Sequence, residues 1–421
     1  MAWTMIEKIF ASHSGGKSVR AGEVVQLRPD VVLLNDVSGP VAIRPFEEMT
    51  KDGVFDPDRI VLVADHFSPA KDLLAAELIR SLRKFGDNYG IKNFFQNGIE
   101  HAVLAEIGRV YPGALIFGAD SHTCTAGALN ASGIGFGSTD LAAAMAAGEL
   151  WAVVPESIRV ELVGEKGKFI TGKDVILELI RQIGADGAIN ASIEIAGEGL
   201  AHFNIDERFA IANMAVEAGA ETCVIEYDNL VRDWVKAKGV ENYSPVVADS
   251  DAVYRSKIEI DVSKLEPTVA VPPSPANGQP VSQLAGVKVD QVYIGNCSNG
   301  TLTDLRQAAE ILSGRKVAAG VRVYVVPATQ AIYSAAADEG LIGRLSEAGA
   351  TILPPTCGAC FGGHMGILAS GEVAVGTTNR NFRGRMGHPD AKVYLASAWV
   401  AAAAALTGEL VHPQSINQAS V

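Results

Sequence analysis

Cysteine is scarce in this chain: Cys124, Cys223, Cys297, Cys357 and Cys360 are the five among 421 residues. An odd and sparse set is no disulfide framework, and it points to thiol or metal chemistry in a reducing compartment. Aromatic residues are few, at 6%, and long apolar runs are missing. The first residues hold no apolar run long enough for a secretory signal. The Ala-rich stretch from Ala401 to Ala405 is too short to span a bilayer. Both absences lead to the expectation of a cytoplasmic protein without membrane attachment. Basic residues are outnumbered, 35 Lys and Arg against 48 Asp and Glu, for a net charge of -13. That balance speaks against a general nucleic-acid surface. It also means that an acidic substrate needs a local group of arginines to hold it.

What is present describes a well-packed α/β protein: 48% of the residues are apolar and 20% are charged, with Ala, Gly and Val abundant. One core does not suffice at this length, so two or three domains are expected. Short apolar runs alternate with helical patterns, the mark of parallel sheets. Residues 59–63, 114–117, 222–225, 291–294, 321–326, 351–353, 373–375 and 393–395 read as strands, and 157–162 starts a different region. An Ala-rich helix is expected over 139–150, capped by Ser138 or Thr139, and further helices over 172–183 and 206–218. Prolines 267, 272, 273, 275 and 280, with the turn signal Asn277-Gly278, make 265–280 read as a linker.

The reactive residues are not scattered. Asp65-His66, Asp120-Ser121-His122, Cys297, Cys357 with Cys360, and Asn379-Arg380 with Arg385 each follow an expected strand. In open parallel sheets the carboxyl ends of the strands are where ligands bind. Cys357-x-x-Cys360 lets two thiolates reach one metal site from a single turn, and Gly358, Gly362 and Gly363 let the backbone fold tightly there. Cys297, between Gly295, Asn296 and Asn299, is the candidate third ligand. Three identities fit such a set: zinc with His364 as fourth ligand, a thioredoxin-type redox pair, or a cubane with one iron left open as a Lewis acid. The Pro354-Pro355 and Gly362-Gly363 pairs do not suit the helix start of a redox motif, and spacing alone does not separate zinc from iron–sulfur.

Six segments carry a resemblance: GADSHT at 118–123, DVILELIRQIGADG at 174–187, ANMAVEAGA at 212–220, IGNCSNG at 294–300, PPTCGACFGGHMG at 354–366 and TTNRNFRGRMGHP at 377–389. Together and in order, they make the chain resemble the large subunits of the 3-isopropylmalate dehydratase and homoaconitase family, within the aconitase superfamily. The resemblance covers essentially the whole chain. It implies a three-domain α/β fold with parallel and mixed sheets flanked by helices and the active site at the domain interface, divided at 1–155, 156–275 and 276–421. It implies a hydro-lyase, most commonly one isomerising isopropylmalate in leucine synthesis; relatives act on homocitrate, citramalate, maleate or dimethylmalate.

Residue by residue, the resemblance implies one [4Fe-4S] cluster on Cys297, Cys357 and Cys360. Asp65, His66, His101, Asp120, His122 and Glu217 match active-site acids and histidines that orient and protonate a leaving hydroxyl. Asn35, Ser121, Asn213, Asn379, Arg380 and Arg385 match substrate-binding positions, and the two arginines suit carboxylates. Asn213 and Glu217, four apart on an expected helix, share a face. The sequence departs from the family text at two points: Thr301 stands where Arg is usual, and Asn296 where Ser is usual. The Ser-Arg motif that holds the family's deprotonating serine is missing. A separate small subunit carrying the swivelling domain is therefore the expected partner, with no nucleic acid and no membrane. The competing readings are a zinc protein on Cys297, Cys357, Cys360 and His364, and an RNA-binding regulator, which the acidic balance opposes.

Overall fold

The computed structural model describes residues 2–16 and 18–418. Two compact units are formed: one from residues up to Gln96, Glu100–Leu162 and Ala188–Ile260, the other from Asn97–Ile99, Val163–Gly187 and the chain from Asp261 onward.

The first unit is built on five strands, β1 (Val31–Asn35), β2 (Ile60–Val63), β3 (Phe94–Phe95), β4 (Leu115–Gly118) and β5 (Ser132–Gly135). They lie side by side in the order β3-β2-β1-β4-β5, all parallel. β1, β2 and β4 are buried at every position, which is why they read as unbroken apolar runs. Successive side chains point to opposite faces. Val32, Leu34, Ile60, Leu62, Leu115 and Phe117 therefore join one core, while Val31, Leu33, Val61, Val63 and Ile116 join another. A second sheet holds β6 (Glu156–Val163), β7 (Ala191–Ala196), β8 (Thr222–Ile225) and β9 (Ser256–Asp261), in the order β8-β7-β6-β9.

The Ala-rich helix runs over Ser138–Ala147, shorter than the sequence pattern indicates. Gly148 takes a left-handed φ of 73° and ends it, a conformation that costs glycine nothing. Its N-cap is Gly137 without a side-chain bond, not Ser138 or Thr139. Leu150 belongs instead to a strand, Leu150–Val153, paired antiparallel with Val24–Leu27.

The second unit is built on a seven-stranded sheet of β10 (Thr268–Ala270), β11 (Gly278–Pro280), β12 (Gln291–Gly295), β13 (Arg322–Val326), β14 (Thr351–Ile352), β15 (Val373–Gly376) and β16 (Lys392–Leu395). Their order is β11-β10-β16-β15-β12-β13-β14. β12 to β16 are parallel; β10 and β11 add an antiparallel edge. The proline-rich segment that reads as a linker is this edge hairpin. Pro280 sits in the outermost strand, the place in a sheet where a missing N–H donor costs least. The Ala401–Ala405 stretch is the buried centre of helix Ala398–Thr407. Among the described residues no helix is long and apolar enough to cross a membrane.

The parallel strands of the two units share one winding. The first strand lies in the middle, the next two add to one side, and the chain then crosses back to add the last two on the other. Each sheet thus has a switch point, between β1 and β4 and between β12 and β15, and the crevice beyond the strands' carboxyl ends at such a point is a binding place by construction.

Candidate active site

In the first unit the strand ends deliver one connected group of acids and histidines. Asn35 and Asp36 leave β1, Asp65 and His66 leave β2, and Asp120 to His122 leave β4 on a tight helical turn, Ser121–Leu129. Glu100 and His101 open the short helix Glu100–Glu106. Helix Ile205–Asn213 passes into a tighter turn, Met214–Ala218, which carries Glu217. Asp120 is the hub. Its Oδ1 lies 3.3 Å from His101 Nε2 and 3.2 Å from His122 Nδ1, and accepts from the His122 backbone N–H at 2.7 Å. Its Oδ2 lies 3.6 Å from His66 Nε2. His66 Nδ1 donates to Asp65 Oδ1 at 2.7 Å, and His122 Nε2 meets Glu217 Oε1 at 3.0 Å.

Exposure separates the hub from its supports. The Asp120 side chain is 20% exposed, whereas those of Asp65, His66, His101, His122 and Glu217 are all at 9% or less. Ser121, beside it, is also exposed. The outward-facing part of the group is therefore Asp120 and its neighbour.

The charges are mutually dependent. Burial alone would raise the Asp120 carboxyl, but hydrogen bonds from His101, His122 and His66 hold it well below the usual range. Burial would likewise lower His66, yet Asp65 and Asp120 outweigh it and hold the imidazole well above its ordinary value. The charged form of His66 is thus the favoured one, with Nδ1 fixed on Asp65 and Nε2 at the longer 3.6 Å distance from Asp120. Both ring nitrogens of His122 are closer to carboxylates. Of these two rings, His66 has the longer outer contact, its Nε2 standing 3.6 Å from Asp120.

Asn213 and Glu217 do act together, although the helix ends between them. Asn213 Nδ2 donates to Thr125 Oγ1 at 2.7 Å while Glu217 reaches His122, so both grip the Ser121–Leu129 turn. Asn35 is almost wholly buried. Its Oδ1 accepts from the Val37 and Ser38 N–H groups and the Ser38 hydroxyl, and its Nδ2 donates to Glu100 Oε1 at 2.8 Å. Two members of the group went unread in the sequence. Asp36 accepts from the backbone N–H groups of Asp65, His66 and Phe67 and so fixes the turn after β2. Glu100 lies beside the histidines with no exposed surface. The available signals were their positions, one residue after Asn35 and one before His101.

In the second unit, Cys297 follows β12, Cys357 and Cys360 follow β14, and Asn379 follows β15, around the switch point of that sheet. All five cysteines of the chain are buried thiols outside any disulfide. Asn296 Nδ2 donates to Cys360 Sγ and Asn379 Nδ2 to Cys297 Sγ, each at 3.2 Å. The buried phenol of Tyr293 is pushed well up, by burial first and then by the neighbouring Cys360 and Cys357, with Cys297 adding less. Asn296 has φ 90°, a region where Asn is among the few tolerated residues. Its Oδ1 caps the backbone N–H groups of Ser298 and Asn299. Strain at such a position is held only where the surroundings fix it.

The Cys357–Cys360 turn is pinned from outside. Arg385 Nε donates to the Cys360 carbonyl at 2.8 Å. A Cβ on Gly362 would come within 2.6 Å of the Arg385 carbonyl, so only glycine allows this approach. Arg380 and Arg385 are both half-buried. His364 is buried close to the turn.

Do these residues fit a cluster? Amide donors aimed at sulfur favour thiolates and tune iron–sulfur centres. A tetrahedral zinc at about 2.3 Å from each sulfur needs its ligand atoms roughly 4 Å apart. Among the described residues, the trios whose ligand atoms close to within 4.8 Å are carboxylate–histidine sets, and the cysteines form none. The amide donors on Cys360 and Cys297 suit thiolates of an iron–sulfur centre.

Thr301, the departure from the family text, has a structural explanation. It is the N-cap of helix Leu302–Leu312, with its hydroxyl bonded to Asp304 Oδ2 at 2.6 Å and the Thr301 N–H donating to the same oxygen at 3.1 Å. Thr301→Ala is expected to lower stability by about 1 kcal/mol without changing iron content. Urea denaturation alongside an iron assay checks both.

The arrangement so far defines an α/β enzyme in which doubly wound sheets present an acid–histidine group and a buried three-thiol turn. Comparison with known proteins makes the class specific. The profile of the aconitase family (aconitate hydratase) matches residues 7–286 and 279–408. A protein of Rubrobacter xylanophilus named 3-isopropylmalate dehydratase large subunit 2 is 53% identical over 418 residues, 99% of each chain. The 3-isopropylmalate dehydratase large subunit of Acetivibrio thermocellus is 49% identical over 419 residues, 99% of this chain and 100% of that one. Large subunit 1 of Pyrococcus furiosus is 50% identical over 418 residues, 98% of this chain and 99% of that one. The chain belongs to the aconitase family. Enzymes of this family generally carry a [4Fe-4S] cluster.

Proposed function

We propose that this chain is the large subunit of a hydro-lyase that interconverts 3-isopropylmalate and 2-isopropylmalate, by loss and return of water, in leucine biosynthesis. The observation that carries the reading is the full-length identity of about half to large subunits named for that reaction. The acid–histidine group supports it with chemistry suited to the task.

Cys297, Cys357 and Cys360 are the residues that would hold a [4Fe-4S] cluster, which when bound supplies a Lewis-acidic iron for the substrate's hydroxyl and carboxylate. Arg380 and Arg385 are assigned to other carboxylate oxygens, with Asn379, Ser121, Asn213 and Asn35 as further polar contacts or supports. His66 is assigned the proton that lets the hydroxyl leave as water, because Asp65 and Asp120 favour its charged form and its Nε2 stands at 3.6 Å from Asp120. Asp65 keeps the imidazole ring oriented. Asp120 stabilises the cation before transfer and, with His101 and His122 bonded to it, stays anionic after. Proton transfer by a positioned acid of this kind contributes roughly 10²–10⁴-fold to rate. The base is assigned to a small subunit with a swivelling domain, in keeping with the "large subunit" names of the relatives. The three-part division at 1–155, 156–275 and 276–421 and a cytoplasmic location belong to the same proposal.

Purification without oxygen tests it. Iron and sulfide in equal amounts are expected, with both lost in Cys297→Ser, Cys357→Ser and Cys360→Ser. Isomerisation of 3-isopropylmalate is expected once the small subunit is added. Zinc without sulfide, or turnover of another hydroxy acid in preference, would overturn the reading.

A further inference from the structure

Glu100 is the member of the acid–histidine group that the mechanism above does not use. It has no exposed surface. Its backbone N–H donates to Asp65 Oδ2 at 2.7 Å, and its Oε1 accepts from Asn35 Nδ2 at 2.8 Å. His101 Nε2 stands 4.0 Å from that same Oε1. Its other oxygen, Oε2, is buried and has no hydrogen-bond partner among the described residues. Ligand-capable atoms of Glu100, His66 and Asp120 lie within 4.8 Å of one another.

An ionised carboxylate does not sit well in these surroundings. It would be a further negative charge beside Asp65 and Asp120, with one oxygen desolvated and unbonded, which is a costly condition for an anion. A neutral acid removes the conflict: it carries a hydroxyl donor on Oε2 and leaves Oε1 as the acceptor for Asn35. We infer that Glu100 is a protonated carboxylic acid beside the Asp120–His66 pair, and that as a neutral neighbour it acts as a positioning residue holding that pair in its charged state. Burial first, then the charges of Asp65 and Asp120, pushes the Glu100 carboxyl well up, in agreement with this. The groups that act on it are Asn35 from the end of β1, Asp65 and His66 from the end of β2, His101 from its own helix, and Asp120 from the turn after β4. Its ionisation at high pH would add a charge next to His66 and make that imidazolium a weaker acid.

The kinetic consequence rests on the proposed hydro-lyase reading; the protonation state does not. Infrared spectroscopy of the chain itself therefore comes first. A deuterium-sensitive C=O band of a protonated carboxyl is expected at neutral pH, and it should vanish in Glu100→Gln. If the two spectra match, with no such band assignable to Glu100, the inference fails whatever the enzyme's substrate. In the complete enzyme, Glu100→Gln should keep kcat on its pH plateau within about threefold, because the amide mimics a neutral acid, while a needed carboxylate would cost roughly 10²-fold or more. The alkaline limb should fall with the slope of one proton in Glu100→Gln and more steeply in the parent, where two coupled groups titrate. Glu100→Met, neutral but without a hydrogen-bonding end, should lose activity that Glu100→Gln retains. Equal losses in both variants, or an unchanged limb, would overturn the positioning role.

Discussion

Asp120→Asn is expected to lower kcat by roughly 10²–10⁴-fold while changing KM little. The carboxylate is the acceptor for three imidazoles: His101 at 3.3 Å, His122 at 3.2 Å and His66 at 3.6 Å. An amide of the same shape keeps the volume but turns one end into a donor that faces N–H groups. His66 then loses one of the two charges that favour its cationic form, with only Asp65 left to oppose burial. Stability should fall too, by about 3 kcal/mol, because breaking a buried ion pair leaves the partner uncompensated. The pH dependence has a definite sign. Asp120's carboxyl is depressed, so its contribution is present above the unfolded carboxylate value and lost as pH falls through the folded one. His66 is raised, so its contribution is complete below the unfolded imidazole value and lost as pH rises through the folded one. Parent and variant should differ most between about pH 4 and 6.5. Chemical denaturation across pH checks this, and a difference that grows steadily toward alkaline pH contradicts it.

Lys173→Met should disable the thiol turn from a distance. The Lys173 side chain is 0% exposed, and its Nζ donates to the carbonyls of Thr377 and Thr378 at 2.8 Å each. A cation in the first turn of a helix opposes the helix dipole, so its presence in helix Gly172–Ile183 needs a tertiary reason. The reason is the segment it holds. Thr377 is bonded to both backbone groups of Gly295, and Asn379 accepts from the Ser298 hydroxyl at 2.6 Å while donating to Cys297 Sγ. Methionine fills similar space but takes the donor from both carbonyls, leaving Thr377 only the 3.4 Å bond from the Ser298 hydroxyl, and an unsatisfied buried acceptor costs about 1–3 kcal/mol. The expected result is a loss of roughly 3 kcal/mol in denaturant unfolding, together with faster iron release to a chelator, because Asn379 is no longer fixed on Cys297. Normal iron retention in a destabilised variant would confine Lys173 to a structural role.

Much of this was legible in the sequence, for identifiable reasons. The strands β8 and β12 to β16 were read to within a residue, because short runs rich in Val, Ile and Tyr stand between turn residues. The reactive residues were legible because chemistry at strand ends is punctuated by Gly, Asn and Pro. The helix over 138–147 was overextended because alanine gives no stop signal and Gly148 was passed over. The 265–280 segment was misread because prolines mark linkers and sheet edges alike, and only strand pairing tells them apart.

The sequence alone determined the α/β class, the family, the three thiols and the candidate acids and histidines, since each is a matter of residue type and spacing. The tertiary structure decided what those residues do to one another. It made Asp120 the shared acceptor of three imidazoles drawn from separate elements, Thr301 a helix cap, Lys173 a brace for the loop on Cys297, and Glu100 a buried acid among other acids. Charge states depend on distance and burial, and neither is written in the spacing of residues along a chain.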